Sequence, residues 1–132
     1  MNDYNSSELL EFRANQFGKV DVNEFTGIHI EQVADISKNL DYGSVYLLWQ
    51  YQFFGQIAFY YRKTGSWSTE HYHLGKSRSK DPEEIFVPIG KLLLIALNPE
   101  GQKLETIVER GHKAFIDRFI WHRNLAIEES AV

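Results

Sequence analysis

The sequence predicts an α+β fold: an antiparallel sheet of about five strands with helices packed on one face. Three observations lead there. Eleven of the nineteen aromatic residues lie between Tyr42 and Tyr72, and the stretch from Tyr42 to Tyr61 holds no charged side chain. Rings bury large apolar areas, so this stretch is expected to be the hydrophobic heart of the protein. Within it apolar and polar residues alternate, the period of a half-buried strand. Elsewhere, near both ends of the chain, the apolar residues fall at helical spacing.

The elements follow in order. Asn5 with Glu8 at the third helical position, then Leu9, Leu10, Ala14 and Phe17, predicts a capped helix ending at Gly18. Ile28-His29-Ile30-Glu31 alternates like a strand, but Val33, Ile36 and Leu40 continue at helical spacing. A helix is therefore expected over most of Ile28 to Leu40. From Val45 to Phe53 the odd positions are all apolar, Gly55-Gln56 turns the chain, and Ile57, Phe59 and Tyr61 alternate again. Lys63-Thr64-Gly65-Ser66 supplies another turn into Trp67 to Leu74, which completes a three-stranded meander. A buried helix through Leu47, Tyr51, Phe54, Ala58 and Tyr61 is the competing reading, disfavoured by the wealth of rings.

Asp81-Pro82-Glu83-Glu84 is expected to open a short helix that Pro88 ends. Asn98-Pro99-Glu100-Gly101 between Gly90 to Leu97 and Leu104 to Val108 predicts a hairpin, of strands in preference to helices. Gly111 to Ala126 reads as a helix. Its wheel puts His112, Phe115, Ile116, Phe119 and Ile120 on one arc, with Ala114, Trp121 and Leu125 nearly opposite.

With 132 residues and no cysteine, the chain is read as one domain, residues 1–132, without disulfides or thiolate chemistry. No leader is expected, because the first residues carry no positive charge ahead of an apolar run, and a cytoplasmic address follows. The charge-free run has the length of a bilayer span, yet Ser44, Gln50, Gln52, Gly55 and Gln56 interrupt it, so no membrane segment is expected. The formal net charge is −4, and residues 1–41 carry eight acids against three bases. That balance speaks against a protein held on phosphates, although Lys76-Ser77-Arg78-Ser79-Lys80 beside Tyr60, Trp67 and Tyr72 would suit single-stranded nucleic acid.

Few residues announce chemistry. No serine sits in a Gly-x-Ser-x-Gly elbow, and Gly75-Lys76-Ser77 lacks the upstream glycine of a phosphate-binding loop. His112, Asp117 and His122 are spaced five apart, which on a helix separates them around the wheel, so the two histidines are read as surface or helix-end residues. His71 and His73, two apart on a strand, project to the same side and are the metal-ligand candidates. Their third ligand would come from His29, His112, His122 or Glu70. From Gly65 to His73 the spacing resembles the opening of the first cupin motif, which implies a metal-binding barrel. That motif places a carboxylate four or five positions after the second histidine, where this chain has Ser77 and Arg78, and the second motif's proline, glycine and histidine are not matched.

By elimination the sequence points to recognition, with no catalytic residue, no resident metal and no cofactor assigned. Size, acidity and an aromatic sheet are similar to those of bacterial immunity proteins, which neutralise a toxin by masking its active site. The resemblance implies that an acidic patch of Glu24, Glu31, Asp35 and Asp41 steers a basic toxin domain, with Trp121, Arg118, Asp117, Tyr60 and Tyr72 as contacts. Nucleic acid and membrane are not expected partners, and assembly with further copies of the chain stays open. The alternatives are a metal-dependent enzyme or cupin-like barrel using His71 and His73, then single-stranded nucleic-acid binding.

Overall fold

The computed structural model describes residues 17–35, 43–46, 60–68, 71–72 and 82–132. Among them every regular element is a strand: β1 (Gly18–Val20), β2 (Ile28–Gln32), β3 (Tyr61–Arg62), β4 (Glu83–Val87), β5 (Lys91–Leu97), β6 (Gln102–Glu109), β7 (His112–Ile116), β8 (Trp121–Ala126) and β9 (Ser130–Ala131). The α+β expectation is thereby corrected to an all-β arrangement of several sheets, with no helix packed on a sheet among the described residues.

Three predicted helices give way to strands where they are described. Ile28 to Gln32 is β2, Glu83 to Val87 is β4, and Gly111 to Ala126 divides into β7, a turn and β8. The physical reason is pairing: β7 is hydrogen bonded along its whole length to β2 on one side and β4 on the other, which satisfies backbone groups that a helix would satisfy internally. Phe119, at φ 66°, lies outside the helical region and closes the turn into β8. The helix expected from Asn5 lies outside the described residues but for Phe17, as does most of the strand expected from Val45 to Phe53.

Two sheets carry the core. One has the order β1-β6-β5-β8 and the other β2-β7-β4, while β3 and β9 form a short ribbon. All pairings are antiparallel except β1 with β6. The hairpin expected around Asn98 forms between β5 and β6, and Gly101 takes φ 81°. Asn98 is buried there; its Nδ2 donates to Thr26 O at 2.9 Å and to Gln102 Oε1 at 2.8 Å, and its Oδ1 accepts from Gln102 N at 2.9 Å.

Register sorts residues into rows across the inner face of the first sheet. Val108, Leu92 and Ala126 make one row, Thr106, Leu94 and Asn124 the next, and Leu104, Ala96 and His122 the third. On the second sheet Ile30, Ala114 and Ile85 form a row, followed by Ile28, Ile116 and Glu83. Nearly all of these are apolar and join one buried cluster with Phe25, Val87 and Ile120. The polar members are Thr106, His122, Asn124 and Glu83, and of these His122 and Glu83 are the ionisable ones on largely apolar inner faces.

On β6, Glu105 is held at 3.1 Å by both Lys19 and Lys103. Those lysines are directly paired across β1 and β6, a like-charge arrangement that the carboxylate relieves. Its hydrogen bond to Lys19, then that to Lys103, lowers the Glu105 pKa below the usual carboxylate range. A carboxylate with a depressed folded pKa stabilises fully above its unfolded value of about 4.3 and loses that contribution as pH falls through the folded value. Glu105→Gln should therefore cost up to roughly 1 kcal/mol in urea unfolding at pH 7, and the gap to wild type should narrow as the pH is taken below about 4. An equal gap above and below that pH would refute this account.

Candidate metal centre

Two isolated bridges place Trp67 and His71 along the free edge of β8. Trp67 is opposite Leu125 and His71 is opposite His122. Leu125 is half-buried and Trp67 is 45% exposed. His71 is held to buried His122 by reciprocal backbone bonds of 3.1 and 2.9 Å.

Glu83 reaches the same place from the other sheet. It opens β4 opposite Ile116, in the inward row with Ile28. Its Oε2 lies 3.5 Å from His122 Nε2 and 3.7 Å from His71 Nε2. One ligand atom from each residue lies within 4.8 Å of the other two. Side-chain exposures are 16% for His71, 17% for Glu83 and 1% for His122. The imidazole rings meet edge to face with centroids 4.3 Å apart.

Those separations exceed the ~2.7–3.2 Å of a good N–H···O hydrogen bond. They lie close to the edges of a tetrahedron around an ion with ligand bonds of ~2.0–2.2 Å, whose ligand atoms stand ~3.3–3.6 Å apart. Second, His122 Nδ1 lies 2.9 Å from the Ile120 carbonyl oxygen. A carbonyl only accepts, so Nδ1 carries the hydrogen and Nε2 is the nitrogen aimed at Glu83. A backbone acceptor that fixes the tautomer in this way is the usual support of a metal-binding histidine.

The structure brings together two of the residues that sequence reasoning weighed, His71 and His122, and adds Glu83, which was read as the start of a helix. His122 is buried, correcting its reading as a surface or helix-end residue. The other histidines lie apart: His112 is at the opposite end of β7 from the Glu83 row, near Arg110 O at 3.2 Å, and His29 is exposed beside Glu31 at 3.2 Å. His73 lies outside the described residues. Among the described residues the carboxylate of the cluster is that of Glu83.

The residues expected to meet a partner are distributed differently. Trp121 is a half-buried strand residue with its ring 4.6 Å from Tyr72. Asp117 and Arg118 are exposed in the turn before β8, with Arg118 5.7 Å from the Phe119 ring. Glu24 is exposed in the turn after β1, Glu31 on β2, and Tyr60 just before β3. Asp35 is exposed and bridges to Tyr46, accepting from Val45 N at 3.3 Å. Asp41 is outside the described residues. No helix among the described residues is long and apolar enough to cross a membrane.

Comparison of the chain with protein-family models, with curated proteins and with solved structures gave no match.

Proposed function

We propose that the protein is a metal-dependent enzyme whose centre is formed by His71, Glu83 and His122. The convergence of these three side chains, two from facing sheets and one bridged to the edge of β8, on largely apolar inner faces carries this reading. Two imidazoles and one carboxylate suit a first-row transition ion such as Zn(II), Fe(II), Co(II) or Ni(II), and three protein ligands leave positions for water and substrate. An ion held there supplies Lewis acidity toward a carbonyl or activates a bound water. The chain's own part is to keep His122 Nε2 aimed at the ion through Ile120 O and to surround the centre with Ala96, Leu104 and Ile116. A cytoplasmic address fits this reading, since a chain without cysteine suits a reducing compartment.

Toxin masking has no such cluster behind it: Trp121, its chosen anchor, is half-buried with its ring 4.6 Å from Tyr72. Titration of the metal-free protein with Co(II), followed by d–d absorption, tests the metal-centre reading. One ion per chain is expected in wild type, and Glu83→Gln or His122→Ala should weaken binding by ~10-fold to 100-fold or more. Glu83→Gln preserves volume, so a folded variant with undiminished Co(II) binding would overturn the assignment, as would a wild type that binds none.

A further inference from the structure

Beside the proposed centre lies a guanidinium that no carboxylate neutralises among the described residues. Arg62, on β3, donates through Nη1 to Asn124 Oδ1 and through Nη2 to Ser66 O at 2.8 Å and Asn124 O at 3.4 Å. All three acceptors are neutral. Asn124 follows His122 by two positions on β8, so both side chains point to the inner face, one strand step of about 6.7 Å apart. Asn124 is 7% exposed. Its backbone N donates to Ser68 Oγ at 2.8 Å. Ser66 and Ser68 flank outward-facing Trp67 and so point inward themselves. Ser66 Oγ is buried there with no hydrogen-bond partner.

The arrangement is unbalanced in one direction. A half-buried cation, a buried hydroxyl without a partner and an amide lie together, and no carboxylate among the described residues pairs with the cation. Desolvation alone lowers the Arg62 pKa, which shows the cost of holding the charge out of water. Of the five guanidinium N–H groups, those on Nε and one on Nη1 make no bond among the described residues. A carboxylate is the group that matches such a fork.

Resting on the reading above, we infer that Arg62, Ser66 and Asn124 form a carboxylate-binding subsite, and that the substrate is an organic acid. Asn124 and His122 share the inner face of β8, so an acid held by Arg62, the partner of Asn124, lies on the same face as the His71–Glu83–His122 centre. Arg62 is then a substrate-binding residue, while Asn124 positions it.

The test is calorimetric titration of Co(II)-loaded protein with glycolate, pyruvate and 2-oxoglutarate, each beside its neutral methyl ester, while the Co(II) spectrum is followed. At least one acid should bind and perturb the spectrum, its ester should bind about tenfold more weakly or worse, and Arg62→Met should lose a similar factor. If no acid binds, or acid and ester bind alike, the subsite is overturned while Co(II) binding leaves the centre standing. The ester comparison uses the unaltered chain, so it decides even if Arg62→Met fails to fold. If Co(II) itself does not bind, both readings fall.

Discussion

Gly90→Ala is expected to remove roughly 3–5 kcal/mol of stability, a large share of the ~5–15 kcal/mol that holds a domain of this size folded. Two effects add. Gly90 has φ 94°, where an alanine is strained by about 1–2 kcal/mol. The added Cβ would also stand 2.1 Å from Ser130 Oγ and 2.6 Å from the Glu129 carbonyl oxygen. Backbone cannot swing aside as a side-chain tip can, so β9 would have to move. That movement would break the bond from Lys91 N to Ser130 Oγ at 3.2 Å and the bridge between Ile89 and Ala131. Gly101, also left-handed at φ 81° but with nothing within 4 Å of a built Cβ, isolates the backbone effect. Its alanine variant should lose only about 1–2 kcal/mol. Urea unfolding of the two variants side by side decides: equal losses would show that the contact with β9 is not what Gly90 protects.

The second large effect is metal-linked stability. Glu83 belongs to one sheet and His122 to the other, so an ion bound by both ties the two layers together and favours the folded chain. At free metal 100–1,000 times the dissociation constant the gain is about 2.7–4.1 kcal/mol, which for a chain of this length amounts to a rise of roughly 10–20 °C in melting temperature. Thermal melts with Zn(II) and with a chelator measure it. Glu83→Gln should remove most of the difference. Acidification should shrink it, because the imidazole ligands must be deprotonated to bind. A melting temperature indifferent to metal across these conditions would count against the centre.

Much of the topology was legible where turn chemistry was unambiguous. Asn98-Pro99-Glu100-Gly101 turns as its residues require, and the turn at Lys63 to Ser66 leads to Trp67, which bridges to β8. The failures share a cause. On β8 the buried set is His122, Asn124 and Ala126, while Trp121 and Leu125 are the half-exposed ones. A strand whose interior positions are polar reverses the pattern that reveals strands, so its larger apolar residues were left to suggest a helix wheel. Glu83 was misread likewise: after Asp81-Pro82 a glutamate looks like a helix start, and only pairing with Ile116 turns it inward. The residues hardest to read were those whose polarity serves the proposed centre.

The bridge between His71 and His122 makes one imidazole of the centre depend on an edge contact of the sheet. A change that loosened that hold on β8 would withdraw the first imidazole while His122 and Glu83 stayed on their own strands, so the ion would be left with two of its three protein ligands and the fold's two main sheets would be untouched.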